Sequence, residues 1–104
     1  MFERTPCVYI LANRYHGALY VGVTSDLFAR IIQHREGVFE GHTKKYGIIR
    51  LVYFEAGGTM ETAIAREKQL KKYRRDWKCN LIERQNPMWN DLAVAMFGLE
   101  PLPA

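Results

Sequence analysis

The sequence predicts an α+β fold in which helices flank a small three-stranded antiparallel sheet. Three short apolar segments are rich in β-branched and aromatic residues, a composition typical of strands. Amphipathic segments with helix-start signals lie between and after them, which gives the order β-β-α-β-α-α. With 104 residues, the chain has the length of one domain. We therefore expect a single domain over residues 1–104, with a core at about 6–92 and a short tail at 99–104.

The first two predicted strands are Cys7–Ala12 and Leu19–Thr24, separated by a turn-like cluster. Two short strands with a loop of this length predict a hairpin. If residues 13–16 form the turn, the pairing places Tyr9 opposite Tyr20. The third predicted strand spans residues 48–55, and the glycines that follow it end it.

The first helix is predicted to start at Ser25 or Asp26, because either side chain can cap the free amides of a first turn. It is expected to run to about Glu36, where Gly37 supplies a stop signal. Residues 38–47, which contain two glycines, are predicted to form a loop.

Two more helices are predicted in the second half of the chain. Thr59 can cap one that continues to about Arg75. Asn86 precedes Pro87, which favours the first position of a helix because proline lacks the amide that this position leaves unbonded. That third helix is expected to end near Gly98.

Composition excludes several classes of protein. The apolar content of 48% and the charged content of 25% are ordinary for a globular chain. No apolar run approaches the ~20 residues of a membrane helix. Cys7 and Cys79 lie far apart without metal-ligand spacing, which argues against a disulfide framework or a structural zinc site. Residues 1–6 lack a signal-peptide pattern, so we expect a cytoplasmic protein that does not bind membranes.

The charge distribution favours an anionic partner. The net charge is +4, and the basic residues are concentrated between Arg30 and Lys78. Nucleic acid is the commonest polyanion for such a stretch. In the predicted loop, His42, Lys44 and Lys45 stand beside hydroxyl, aromatic and glycine residues. This composition suits contact with a nucleic-acid backbone, and it is equally typical of an ordinary solvated loop.

Aromatic residues interrupt the basic run at 66–78, where Tyr73 and Trp77 stand among lysines and arginines. An aromatic platform beside cationic groups would suit nucleic acid. The alternative is a solvated helix face with Trp77 in the core. We favour the core position for Trp77, because large aromatic side chains usually supply burial.

Glu67 falls on the apolar face of the second predicted helix, three residues from both Ile64 and Leu70. A carboxylate directed at a core is costly unless it is paired or binds a metal. An ion pair with Lys71 or Arg74 would satisfy it as well as a metal would.

Tyr9, Tyr20 and Gly22 are predicted to share one face of the hairpin. They form either a stabilising aromatic pair or a shallow polar pocket, because glycine in a strand often marks the close approach of a ligand. Arg30 and His34 share one side of the first helix. Guanidinium suits a phosphate and imidazole exchanges a proton near neutral pH, although both could be ordinary rim residues.

The order and spacing of these residues together resemble the GIY-YIG nuclease family. Val8-Tyr9-Ile10 matches the first motif without its glycine, and Tyr20-Val21-Gly22 matches the second. Arg30 follows at the position of the family's helix arginine, and His34 matches a histidine of some branches. Glu67 matches the metal-binding glutamate. Most of the chain, roughly from the first strand to the third helix, takes part in the resemblance.

The resemblance implies metal-dependent hydrolysis of phosphodiester bonds of nucleic acid, with DNA favoured over RNA, although the sequence itself does not decide between the two. Glu67 would hold one divalent ion, Mg²⁺ or Mn²⁺, which needs few protein ligands. Arg30 would stabilise the phosphate. Tyr9, Tyr20 and His34 would activate or position water, and the sequence leaves open whether Tyr9 or His34 is the base.

The nucleic-acid contacts expected from the sequence and the resemblance are Gly22, His42, Lys44, Lys45, Lys71 and Asn80. Asn80 resembles the asparagine that often follows the long helix in the family, and Asn86 is a weaker match. Two other hypotheses stay open. One is a nucleic-acid-binding module of the same fold with little or no hydrolysis, and the other is an interaction domain without a metal site.

Overall fold

The computed structural model describes residues 5–38 and 42–102, and its three strands form one antiparallel sheet in the order β2-β1-β3. This confirms the predicted fold class. No helix within these ranges is long and apolar enough to cross a membrane. The elements in chain order are β1 (Cys7–Ala12), β2 (Leu19–Thr24), α1 (Leu27–Arg35), α2 (His42–Tyr46), β3 (Arg50–Ala56), α3 (Met60–Lys72), α4 (Arg75–Gln85) and α5 (Leu92–Phe97).

The sheet is buried on both faces, because helices cover each of them. All six residues of the central strand β1 are buried. Successive side chains of a strand point to opposite faces, so β1 contributes to two cores. One core contains Val8 and Ile10 with side chains of α3 and α4. The other contains Tyr9 and Leu11 with side chains of α1 and α5.

The loop between β1 and β2 is two residues longer than predicted, because Ala12 pairs with Leu19. Tyr9 pairs with Gly22, so the expected pairing of Tyr9 with Tyr20 is wrong by two positions. A slip of two residues keeps every side chain on its face, since the period of a strand is two. The shared face of the three residues is therefore confirmed. The side chain of Asn13 widens the loop, because its Oδ1 accepts a hydrogen bond from the amide of Ala18 at 2.9 Å.

Both predicted N-caps are confirmed. The Asp26 side chain accepts a hydrogen bond from the amide of Ala29 at 3.0 Å, which starts α1. The Thr59 hydroxyl accepts one from the amide of Thr62 at 3.1 Å and starts α3. Gly37, with φ of +72°, follows α1 as predicted.

The segment predicted as a loop contains the short helix α2, which begins at His42. That prediction is therefore wrong for residues 42–46, and residues 39–41 lie outside the described ranges. The third strand begins two residues later than predicted, at Arg50.

The second predicted helix ends at Lys72, three residues before the predicted end, and α4, which was not predicted, follows it without an intervening glycine or proline. Tyr73 and Arg74 adopt extended backbone with ψ of 142° and 158°, and they separate α3 from α4. The third predicted helix is present as α5, but it begins at Leu92 and not at Pro87. Asp91 caps α5 instead, and Gly98 ends it in the left-handed conformation as expected.

The two tryptophans have opposite environments. Trp77 is 47% exposed, so its predicted place in the core is wrong. Trp89 is fully buried and takes the core position. Its Nε1 donates to Oε2 of Glu83 at 2.8 Å. The one polar atom of the buried Trp89 side chain therefore has a hydrogen-bond partner.

A β-bulge bends β3 where it pairs with β1. Consecutive residues of β1 pair with Tyr53 and then Leu51, which leaves Val52 as the extra residue. Nδ2 of the buried Asn86 donates to the carbonyl oxygen of Val52 at 3.0 Å and to that of Asn90 at 3.0 Å. The end of α4 is thereby tied to the bulge.

Candidate active site at the tyrosine–histidine cluster

Tyr9, Tyr20 and His34 form a cluster of three rings, hereafter the Tyr9 cluster, on the α1 side of the sheet. The Tyr9 hydroxyl lies 3.1 Å from Nε2 of His34. Ring centroids are 5.9 Å apart for Tyr9 and His34, 5.6 Å for Tyr20 and His34, and 6.3 Å for the two tyrosines. The structure thus brings together three residues that the sequence predicted from separate elements.

The cluster is covered on its inner side and open at its rim. Tyr9 is fully buried and His34 is 4% exposed. Tyr20 and Arg30 are half-buried. Water and solutes therefore meet the cluster first at Tyr20 and Arg30.

Gly22 leaves the space that the Tyr9 ring occupies. A Cβ at residue 22 would lie 2.5 Å from both Cζ and the hydroxyl oxygen of Tyr9, a separation that packed atoms do not reach. Gly22 is itself buried. The glycine of the second motif therefore makes room for the tyrosine of the first.

Burial determines the charge state of the central pair. Desolvation raises the pKa of Tyr9 well above its ordinary value of 10, and Arg30 opposes this shift only in part. Desolvation, and then the charge of Arg30, lowers the pKa of His34 from 6.5 to about 4. Both side chains are neutral at pH 7, so the tautomer of His34 decides which of the two donates in their hydrogen bond.

Arg30 reaches from α1 to the edge of the sheet. Its Nη1 donates to the carbonyl oxygen of Val23, in the edge strand β2, at 3.5 Å. The guanidinium charge also acts on both Tyr9 and His34. Arg30 therefore places a permanent positive charge at the open rim of the Tyr9 cluster.

Glu67 lies on the buried face of α3, between the core residues Ala63 and Leu70. Its side chain is 16% exposed, and Oε2 forms an ion pair with Nζ of Lys71 at 3.2 Å. The ion pair considered from the sequence is thus present. Because α3 packs on β2 from the face opposite Tyr9, the edge strand lies between Glu67 and the Tyr9 cluster.

The donor set suits a hard cation with few protein ligands. Among the described residues, no group of three or more His, Cys, Asp or Glu side chains could hold a metal ion. Magnesium binds through one or two carboxylates and completes its shell with water and phosphate oxygens. Glu67, a largely shielded carboxylate, fits that mode of binding and would not by itself form a zinc-type site.

The other predicted contacts are not among the three rings of the Tyr9 cluster. Lys44 and Lys45 are exposed on α2, and the side chain of His42 is outside the described part of the chain. Asn80 is exposed on α4. Asn86, the weaker match to the family's asparagine, is buried and binds backbone carbonyls.

The sequence analysis missed a cavity of about 320 Å³ at the junction of α3 and α4, hereafter the α3–α4 cavity. Its lining residues are Arg66, Tyr73, Trp77, Asn80, Leu81 and Arg84. The signal was present in the spacing of the last four, which repeats at three and four residues and so marks one helix face. The sequence analysis did not use this spacing, because it did not predict that α4 follows α3 as a separate helix.

Comparison with known protein families identifies the class of this domain. The family model of the GIY-YIG catalytic domain matches residues 5–80. The chain therefore belongs to the GIY-YIG family, and this membership indicates a nuclease-type function that acts on nucleic acid.

Proteins of the UPF0213 group are similar to this chain in sequence and in structure. A UPF0213 protein of Staphylococcus epidermidis is 37% identical over 67 residues, which cover 64% of this chain and 82% of the relative. A UPF0213 protein of Haloquadratum walsbyi is 35% identical over 66 residues, 64% of this chain and 74% of the relative. The solution NMR structure of a UPF0213 protein from Bacillus halodurans superposes with a TM-score of 0.53 and 28% identity, covering 88% of this chain and 97% of that one.

Proposed function

We propose that this chain is a metal-dependent endonuclease that hydrolyses phosphodiester bonds of nucleic acid, with DNA preferred over RNA. The observation that carries the proposal is the neutral Tyr9–His34 pair, 3.1 Å apart, with Arg30 at its rim. A phenol bonded to an imidazole can move a proton, and an adjacent guanidinium can hold a phosphate.

The proton of the attacking water is the first problem of the reaction. The raised pKa of Tyr9 keeps its hydroxyl protonated at neutral pH, so Tyr9 does not act as a preformed phenolate. His34, with a pKa of about 4, is neutral and can accept a proton at Nε2. We therefore assign His34 as the final acceptor and Tyr9 as the group that passes the proton to it.

The developing charge on phosphate is the second problem. Arg30 is half-buried and always charged, and we assign it to the non-bridging oxygens. The half-buried Tyr20 would orient the water or the phosphate by hydrogen bonding. These two side chains form the part of the cluster that a substrate meets.

Glu67 would hold one Mg²⁺ or Mn²⁺ ion. An ion held there would supply positive charge to stabilise the leaving oxygen. In the structure that carboxylate forms an ion pair with the Lys71 ammonium, whose side chain is 53% exposed. Because the lysine side of this pair is exposed to solvent, Lys71 can release Glu67 and turn to the nucleic-acid backbone.

The remaining predicted contacts extend this surface. Lys44, Lys45 and Asn80 are exposed and suited to the nucleic-acid backbone. We further propose that the chain acts as a single domain. Its cytoplasmic location stays a prediction from the sequence.

The second candidate is a nucleic-acid-binding module without hydrolysis. The complete burial of Tyr9 favours it, because the side chain that would take the proton from the attacking water is shielded from solvent. This reading keeps the basic surface and makes the Tyr9 cluster part of the core.

A cleavage assay separates the two candidates. Labelled single-stranded, duplex and branched DNA, and RNA, would be incubated at low salt with Mg²⁺ or Mn²⁺. The nuclease proposal expects cleavage by the wild type and its loss in Arg30→Ala and Glu67→Ala. Glu61→Ala, which removes an exposed carboxylate of the same helix α3, should leave cleavage unchanged. Binding without cleavage by all four proteins would support the binding module instead.

A further inference from the structure

The α3–α4 cavity lies outside the Tyr9 cluster and combines aromatic, amide and guanidinium groups. Its volume of about 320 Å³ lies within the usual range of ligand pockets. Trp77, Asn80, Leu81 and Arg84 stand along one face of α4, about 10 Å from end to end at 1.5 Å per residue. Ile82 is the buried residue of α4, and Leu81 packs against the same core, so the lining face lies at the edge of the core.

Trp77 is an unusual residue to leave half exposed. The core of this face is filled by Trp89, which is fully buried, so Trp77 does not supply core packing. Its ring nevertheless has a fixed orientation. The Tyr73 ring packs edge-on against it, with centroids 5.4 Å apart and planes at 87°.

The Trp77 ring already accepts a planar cation. The Arg74 guanidinium carbon lies 4.7 Å from the ring centroid, which is cation–π distance. Arg74 also pairs with Asp76 at 3.5 Å, but both side chains are 68% exposed and the pair is weak. The guanidinium can therefore move aside or lie on a second planar group.

The cavity favours an anion. No carboxylate is among its lining residues. The Arg66 guanidinium is held by Glu55, with Nη2 at 2.9 Å from Oε2, and so is balanced. Arg84 is exposed on the last turn of α4. A phosphate that entered the cavity would meet Arg84 first.

We infer that the α3–α4 cavity binds an unpaired nucleobase against Trp77 and Tyr73, with the adjoining phosphate at Arg84. Bases stack on aromatic side chains without regard to sequence. The Asn80 amide, with a donor and an acceptor, can bond the edge of the base. Bases within a duplex are already stacked and paired, so the cavity selects single-stranded or locally opened nucleic acid.

The inference rests on the proposed function, because the cavity would bind the same nucleic-acid strand that the Tyr9 cluster would cleave. Arg66, which lines the cavity, precedes Glu67 on α3. A strand held at the cavity therefore lies against the helix that carries the proposed metal ligand.

The test is a binding titration in EDTA at low salt, which prevents cleavage and reads binding alone. Two labelled probes of equal length are used: an oligothymidine and a strand of abasic residues with the same phosphates. We expect Trp77→Leu to weaken oligothymidine binding by about 5- to 100-fold, the loss of one stacking contact. Trp77→Phe should restore most of the affinity, and the abasic strand should bind Trp77→Leu like the wild type.

Arg84→Ala should weaken binding of both probes, because it acts on the phosphate, and should lower the salt dependence. Lys68→Ala, an exposed lysine on α3 outside the lining, is the charge control and should weaken binding less than Arg84→Ala. Equal binding of oligothymidine by the wild type and Trp77→Leu would overturn the inference and leave the nuclease proposal intact. Failure of the wild type to bind either probe would also overturn the inference, and the cleavage assay with duplex and branched DNA tests the nuclease proposal separately.

Discussion

The ring of Tyr9 lies against the backbone of Gly22, its partner across β1 and β2. A methyl group at residue 22 would lie 2.5 Å from the Tyr9 hydroxyl oxygen. Glycine weakens a strand interior, so its presence there requires a reason. The reason is the close approach of Tyr9, which brings its hydroxyl to His34.

Gly22→Ala should therefore destabilise the protein by about 1–3 kcal/mol, the usual effect of overpacking a core. Urea unfolding measures this loss. Tyr9→Ala removes the ring that the new methyl group would strike, so the double variant should be more stable than the sum of the single effects predicts. If the changes in unfolding free energy of the two single variants simply add in the double variant, the Tyr9 ring and residue 22 are not in steric contact.

Stability should fall in mild acid because of His34. Its folded pKa of about 4 lies below its ordinary value of 6.5, so the unfolded chain takes up the proton first as the pH falls. The stabilisation is complete above about pH 6.5 and is lost as the pH falls toward about 4. We expect the free energy of unfolding to drop by about 2 kcal/mol between about pH 7.5 and about pH 5.

His34→Gln is the control for this titration, because it keeps a polar side chain that cannot take up a proton in this range. Unfolding curves of both proteins at each pH separate His34 from the carboxyl groups that titrate in both. The same drop in both proteins would refute the assignment.

Asn86 and Asn80 provide a matched pair of substitutions on and beside α4. Asn86→Ala leaves the carbonyl of the bulge residue Val52 without its donor, and a buried unsatisfied group costs about 1–3 kcal/mol. Asn80→Ala removes an exposed amide and should change stability by less than about 0.5 kcal/mol. Thermal melting checks both, and equal melting temperatures would contradict the role of Asn86.

Local signals predicted the first half of the fold well. Strand composition located β1 and β2, and side-chain chemistry that acts within three residues narrowed the first cap to Ser25 or Asp26 and gave Thr59 as the second. The face shared by Tyr9 and Gly22 survived an error of two in register, because side-chain direction repeats every two residues. The partly buried position of Glu67 followed from helical periodicity.

Long-range packing explains the errors in the second half. Arg74 precedes α4 without a side-chain cap, so no local signal marks the break. Trp77 and Trp89 are alike in sequence terms, and only the packed structure shows that Trp89 fills the core. The 3.1 Å contact between Tyr9 and His34 joins residues 25 positions apart, a distance no spacing rule could give.

The central claim is that the hydroxyl of Tyr9 takes part in catalysis. The most direct test compares single-turnover DNA cleavage by the wild type, Tyr9→Phe and Tyr53→Phe. Tyr53 is also a buried strand tyrosine, and its hydroxyl donates to Glu55, so its loss controls for a missing buried hydrogen bond. We predict that Tyr9→Phe slows cleavage by about 10²- to 10⁴-fold, the usual contribution of proton transfer, while Tyr53→Phe cleaves like the wild type. Cleavage by folded Tyr9→Phe at the wild-type rate would contradict the account.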